Sequence, residues 1–276
     1  MSQEPVEQVP IVIPLYESGA LYKVHFFGPF RVIRDNQSVG ELVWRRNKAK
    51  ALLKWFLLNT GRMFSADQLI KCFWPGVSKA SAERNFHVAI HYLRHLLEPD
   101  LPPRCESKYI HRTKNNFYWF ELDETWWADI FEVQHHYTKA KEAELHGDLP
   151  TAILHYRQVV EYCRLGFLHE DAYEDVFSSY RHHYERIYTE VLELLIQLFT
   201  QANMVDELLA YAHHALLVDP YCEPAVKAIV HAYFRQGNTA SAIRRLDYFQ
   251  TFLKEDLGIE PEEDMRSLRK KIAELE

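Results

Sequence analysis

The chain has 276 residues, 47% hydrophobic and 14% aromatic, and a formal net charge of −7. That content supports packed cores and excludes wholesale disorder, and the length suggests two domains. No apolar run approaches the ~18–20 residues that span a bilayer; no basic start with an apolar core marks a secretory leader; and four scattered cysteines form no CxxC, so a reducing cytoplasm is the expected setting.

The charge is divided along the chain. Residues 1–20 carry three glutamates and no lysine or arginine, with prolines at 5, 10 and 14, and read as a disordered lead-in. Residues 21–122 carry 17 Lys+Arg against 8 Asp+Glu, a net +9. Residues 123–276 carry 15 against 28, a net −13. A basic segment beside an acidic one points to nucleic-acid contact by the first and a protein partner for the second.

Leu21–Arg34 reads as two short alternating strands broken at Gly28-Pro29, followed by a turn at Asp35–Ser38 and a third short strand near Val39–Val43. Trp44–Leu58 is a helix with Leu52, Leu53, Phe56 and Leu57 inward and a basic start at Arg45, Arg46, Lys48 and Lys50, stopped by Asn59-Thr60-Gly61. Ser65-Ala-Asp-Gln68 is a capping box that opens a short helix ending at Trp74-Pro75-Gly76.

A longer helix spans 78–99. Its apolar stripe is Phe86, Ala89, Ile90, Leu93 and Leu97. Its other side carries Arg84, His87, Val88, His91, Arg94 and His95, with no acid between Arg84 and Leu97. That is a palette for phosphates and base edges rather than an ordinary wet face, which mixes charge signs. Tyr109–Phe120 then reads as a hairpin with its turn at Thr113–Asn116 and Arg112 and Lys114 near the tip. The order β-β-(β)-α-α-α-β-β is that of a winged helix-turn-helix, whose third helix enters the major groove.

From Asp129 onward the pattern is helical, with segments at 129–146, 149–164, 172–201, 204–218, 222–236, 239–256 and 261–275. Three helix pairs share a local pattern around Gly147, Asn203 and Gly237, the last two 34 residues apart, which is the tetratricopeptide period. Trp126 and Trp127 are expected to pack the junction. The expected architecture is therefore an α+β N-terminal winged helix-turn-helix over 21–122, then an all-α tetratricopeptide-like repeat domain over 123–276.

In Phe27-Gly-Pro-Phe30, the Arg46–Leu58 helix, Phe73-Trp-Pro75, Asn85–Arg94, Tyr109-Ile110, Asp129-Ile-Phe131 and Leu257-Gly-Ile-Glu-Pro261, the sequence resembles the bacterial transcriptional activator domain proteins, which include the Streptomyces antibiotic regulatory proteins. The resemblance runs from about Leu21 to the C-terminus. It implies a response-regulator-type winged helix joined to a tetratricopeptide-like activator domain, binding to direct repeats as a tandem homodimer on double-stranded DNA, and recruitment of RNA polymerase. Tyr92 and His95 stand where members of that family commonly carry Arg or Lys.

His87, His91 and His95 recur at i, i+4 and i+8, a spacing that could hold a transition metal. No further ligand or HExxH accompanies them, so the DNA-facing reading is preferred and no metal, cofactor or catalytic residue is expected. Protonation of these histidines near the reference value of ~6.5 would add charge facing phosphate and tighten binding as pH falls from 8 to 6. The expected function is a sequence-specific activator, not an enzyme. Arg84, His87, Val88, His91, Arg94 and His95 would read the groove, and Arg45, Arg46, Lys48, Arg112 and Lys114 would hold the backbone. The competing expectation is a protein-interaction scaffold that works through the repeat groove.

Overall fold

The computed structural model describes residues 19–39, 47–171, 175–261 and 263–274. The described chain forms two compact units, one running through Asp129 and taking in Glu170–Phe177, the other comprising Ile130–His169 and the chain from Ser178 onward.

The first unit opens with strands β1 (Tyr22–His25), β2 (Arg31–Arg34) and β3 (Gln37–Ser38). β1 and β2 pair antiparallel, Val24 opposite Val32, around a turn in which Gly28 takes the left-handed φ of 76°. The third strand is two residues long and precedes its expected place, because Asp35 and Asn36 adopt positive φ and turn the chain at once; residues 40–46, which include most of the expected strand and the first residues of the expected helix, lie outside the described residues.

Helices α1 (Asn47–Leu58), α2 (Ala66–Phe73) and α3 (Lys79–Leu97) follow, with a two-residue strand β4 (Phe64–Ser65) ahead of α2. The capping box is formed: Gln68 N–H donates to Ser65 Oγ at 3.2 Å, and Ser65 N–H donates to Gln68 Oε1 at 2.9 Å. β5 (Ile110–Arg112) and β6 (Phe117–Phe120) are the hairpin, and β4 pairs with β6 to make a three-stranded sheet in the order β4-β6-β5.

Trp126–Ala128 forms β7, which lies parallel to β1 and completes a sheet of order β3-β2-β1-β7. Trp126 stacks on Tyr22 at 4.2 Å between ring centroids, and the Tyr22 hydroxyl donates to the Leu97 carbonyl, tying this sheet to the end of α3. Just beyond β7, Asp129 is 1% exposed; its carboxylate accepts from Phe26 N–H at 2.8 and 2.9 Å and from Phe27 N–H at 3.0 Å. This is a buried charge held by backbone donors where β1 leaves its sheet.

The second unit is all helical: α4 (Asp129–Leu145, with Asp129 itself in the first unit), α5 (Leu149–Cys163), α6 (Ser178–Gln201), α7 (Val205–Val218), α8 (Glu223–Arg235), α9 (Thr239–Asp256) and α10 (Glu263–Glu274). The helix ends fall at the predicted punctuation. Gly147, Asn203 and Gly237 all take left-handed φ, and the residue after each glycine, Asp148 or Asn238, caps the next helix by accepting a backbone N–H at 3.2 Å. α6 starts later than expected, at Ser178, after a 3-10 turn over Asp175–Phe177; residues 172–174 lie outside the described residues. Successive helices from α5 to α10 pack on one another, and Leu246, Phe249 and Leu253 of α9 bury Met265 and Ile272 of α10. Stacked antiparallel pairs of this kind are tetratricopeptide-like.

Of the adjacent histidines His135 and His136 on α4, His136 is buried, with Nδ1 2.8 Å from Nδ1 of His155, while His135 is exposed. Burial pushes the His136 imidazole down to about 4, and the nearby His155 and His135 push in the same direction. Burial also lowers His155. Glu132 stands 3.9 Å from His136 Nε2, and the net direction is still downward. The folded state therefore holds His136 neutral, whereas the unfolded chain takes up a proton below ~6.5. Stability is full above that value and falls as the pH drops towards 4. Urea midpoints should show a loss of about 1–2 kcal/mol between pH 7 and 5, and His136→Gln should flatten that dependence. Equal slopes for the two proteins would count against His136 as the source.

Candidate nucleic-acid interface

Helix α3 is held along its inner side by Ala82, Phe86, Ala89, Ile90, Leu93 and Leu97, all buried. Phe86 is fully buried and meets Tyr118 of the hairpin edge-on at 5.1 Å and Trp74 at 6.1 Å. The hairpin and the α2–α3 turn thereby fix the helix's rotation, and rotation decides which side chains face out. Trp74 is itself buried, as its apolar neighbours require.

The outward face carries Arg84, Asn85, His87, Val88, His91 and His95, all exposed. The nearest acid on the helix is Glu83, 4.0 Å from Lys79 and so neutralised within its own turn. The His91 and His95 rings stack at 4.3 Å, and His95 Nδ1 lies 3.0 Å from the His91 carbonyl oxygen. A carbonyl only accepts, so Nδ1 carries the proton and a neutral His95 presents a lone pair at Nε2.

Arg94 is placed differently from its neighbours. It is half-buried, and its Nη2 donates to the Ile110 carbonyl at 2.9 Å. Its geometry is that of a strut between α3 and β5, which the sequence pattern of the helix alone does not reveal because the partner lies 16 residues away.

At the hairpin tip, Asn116 takes a φ of 59° and its side-chain oxygen accepts from Arg112 Nε at 3.1 Å, while the Arg112 guanidinium lies 5.7 Å over the Tyr118 ring. Arg112 is thus pre-positioned, and Lys114 projects from the turn, exposed. Between the start of α1 and α3 lies a concavity of about 530 Å³ whose lining includes Asn47, Lys48, Trp74, Arg84, Asn85 and Val88. It brings together Lys48 and Arg84, predicted from sequence for different tasks, and adds Asn47 and Asn85. Asn85 directly follows Arg84 and stands three residues before Val88, a spacing that puts it beside that face of the helix. Arg45 and Arg46 lie outside the described residues.

Among the described residues no group of three or more His, Cys, Asp or Glu is arranged to hold a metal ion, and no helix is long and apolar enough to cross a membrane.

The model of the family described as bacterial transcriptional activator domain matches residues 128–273, and that described as transcriptional regulatory protein, C terminal, matches residues 40–120. No curated protein sequence matches the chain. Among solved structures, Mycobacterium tuberculosis EmbR in complex with a low-affinity phosphopeptide superposes with a TM-score of 0.77 at 18% identity, over 94% of this chain and 66% of that one. The chain therefore spans slightly less than two thirds of that relative, and the likeness concerns the fold. The TPR2B domain of yeast Sti1 in its pHsp70 complex aligns at 17% identity with a TM-score of 0.37, over 53% of this chain and 99% of that one. A helical array matched over more than half the chain, behind a winged helix matched as the C-terminal domain of a transcriptional regulatory protein, places this protein in the bacterial transcriptional activator domain family.

Proposed function

We propose that the protein activates transcription by sequence-specific binding of α3 in the major groove of double-stranded DNA. The observation that carries this reading is the outward face of α3: six exposed polar, basic or small apolar residues without an acid, beside a concavity that holds Lys48 and Arg84. Arg84, Asn85, His87 and His91 reach base edges, and Val88 meets thymine methyls. A neutral His95 accepts from an exocyclic amine, while the protonated ring donates to phosphate or guanine. Lys48, Arg112 and Lys114, with Arg45 and Arg46, neutralise backbone phosphates. Arg94 serves the interface by holding the wing.

The family adds two further elements to the proposal: binding to direct repeats by two molecules in tandem, and recruitment of RNA polymerase by the acidic helical domain. One compact helix face of this size reads a short half-site, so a second copy would supply the remaining specificity.

The test is a salt titration of duplex binding with the full chain. The five backbone cations (Arg45, Arg46, Lys48, Arg112 and Lys114) predict a log–log slope of about −4.5 per copy, or roughly a 500-fold loss between 50 and 200 mM salt. Lys114→Ala should weaken all duplexes alike and reduce the slope by about 1, whereas Arg84→Ala should relax sequence choice by ~1–3 kcal/mol at one base pair. Absence of duplex binding at 50 mM salt would leave the helical domain as a protein-interaction scaffold instead.

A further inference from the structure

Helix α9 carries an aromatic ladder beside its core face. The core side is Ala242, Leu246, Phe249 and Leu253, all buried. Arg245, Tyr248 and Phe252 recur at i, i+3 and i+7 and lie along another side of the helix. The Tyr248 and Phe252 rings are parallel at 6.4 Å, and Phe252 stacks at 5.4 Å on Tyr221, which comes from the turn before α8. The Tyr221 hydroxyl donates to the Asp256 carboxylate, which fixes that ring. Phe252 is half-buried against the core, whereas Tyr248 is 64% exposed.

Arg245 stands at the head of the ladder, its guanidinium carbon 5.9 Å from the centre of the Tyr248 ring. Its Nε is buried and meets no acceptor among the described residues, and no carboxylate there pairs with it. Burial holds the group below the ordinary arginine value, and Tyr248 and Tyr233 only partly oppose this; a guanidinium still keeps its proton at neutral pH. The surroundings make this anomalous. Residues 123–276 carry 28 acids against 15 Lys+Arg, and Arg269 has taken Asp247 of the same helix at 2.7 Å. A partly desolvated cation without a counter-charge lowers the stability of the free protein.

The group that completes Arg245 is a carboxylate, whose two oxygens match the planar fork of donors. A phosphate dianion or a nucleic acid fits less well. Asp247, Glu255 and Asp256 lie on the same helix, residues 123–276 are net −13, and one arginine does not overcome that field. Next to the cation the ladder offers flat apolar area on rings with little rotamer freedom. Tyrosine and arginine anchor protein interfaces for that reason. The ring steps of 6.4 and 5.4 Å are close to the repeat of alternate side chains along an extended segment, about 6.6 Å. Charge and spacing together specify an acid followed by two apolar residues at alternate positions.

We propose that this α9 face docks an extended segment of a protein partner with the pattern acid-x-apolar-x-apolar, the acid on Arg245 and the apolar side chains on the Tyr248–Phe252–Tyr221 ladder. Arg245 is held ready for the partner's carboxylate, and covering by the partner strengthens the pair by excluding water.

The test uses the full chain in two arms. Arg245→Met keeps the apolar stem and removes the cation, and should raise the melting temperature by roughly 2–4 °C. No rise would make Arg245 a structural residue and overturn the proposal. In the second arm, a random dodecapeptide library displayed on phage is panned on the protein and should enrich the acid-x-apolar-x-apolar pattern. The enriched peptide, followed by fluorescence anisotropy, should lose about thirtyfold in affinity with Arg245→Met or Tyr248→Ala. Arg245→Lys should recover only part of that loss, because an ammonium lacks the fork. No enrichment, enriched peptides without the acid, equal binding by Arg245→Met, or displacement by inorganic phosphate would each overturn the proposal. So would sedimentation showing a dimer in the wild type that Arg245→Met abolishes, because the occupant would then be a second copy.

Discussion

Val88→Glu is expected to reduce duplex affinity more than a hundredfold while leaving the fold intact. Val88 is 41% exposed at the middle of the α3 face and contributes nothing to its buried stripe. Glutamate is a better helix former than valine, so the urea midpoint should move by no more than about 0.5 kcal/mol. The effect on binding has two parts. The carboxylate faces phosphates and base edges that are rich in acceptors, a like-charge placement that costs several kcal/mol. It also sits four residues after Arg84, within ion-pairing distance on a helix, and would draw that guanidinium away from DNA. Val88→Ala removes only the methyl contacts and should cost less than tenfold. Fluorescence anisotropy on a labelled promoter duplex at fixed salt, with urea melts alongside, gives both numbers. Wild-type affinity in the glutamate variant would remove α3 from the interface.

The parts of this architecture that a linear reading captures are those whose cause is local. The Ser65–Gln68 capping box, the left-handed glycines at 147 and 237 with their capping neighbours, and the split of α3 into a buried and an exposed stripe each follow from residues within a turn of one another. What escapes is set by partners far along the chain. β4 is two residues long and exists because Phe64 finds Tyr118; β7 exists because Tyr22–Val24 offers a free edge to Trp126–Ala128. Trp126 and Trp127 read as packing residues in the sequence, and their strand pairing needs a partner more than 100 residues earlier. Arg94 has the same origin. Its helix position matches that of a groove reader, and only the fold reveals that a carbonyl on β5 lies within 2.9 Å of its guanidinium. The candidate interface is thus legible as a face, while the division of labour on that face is not. The same holds for the α9 ladder, whose third ring, Tyr221, comes from the turn before α8.

Asp129→Ala should be among the most destabilising single substitutions in the first unit, at about 3–4 kcal/mol. β1 ends at His25, and its parallel partner β7 ends at Ala128, so the amides of Phe26 and Phe27 have passed beyond the sheet ladder. Both residues are buried, Phe26 fully and Phe27 at 3% exposure, and water cannot take over their N–H groups. The Asp129 carboxylate accepts from both. Alanine would remove the carboxylate to which both buried N–H groups donate, at ~1–3 kcal/mol each, and would loosen the turn that seats Phe30 against Phe26 at 5.3 Å. Oδ2 accepts from both N–H groups, and only the Phe26 N–H also reaches Oδ1; an asparagine whose oxygen takes the Oδ2 place keeps both bonds, so Asp129→Asn should cost less than half as much. Urea unfolding followed by tryptophan fluorescence is the suitable measurement, since Trp126 and Trp127 lie immediately before this residue. Because the Tyr22 hydroxyl connects the same sheet to the Leu97 carbonyl, exchange protection at the C-terminal turn of α3 should fall together with that of β1. The α3 face itself is built on Phe86, Tyr118 and Trp74 rather than on the Phe26–Phe27 turn that Asp129 holds. Duplex affinity measured below the unfolding transition should therefore remain within about twofold of wild type. An unchanged midpoint in the alanine variant would show that the two N–H groups find other acceptors, and the carboxylate would lose its role as the clasp of the first sheet.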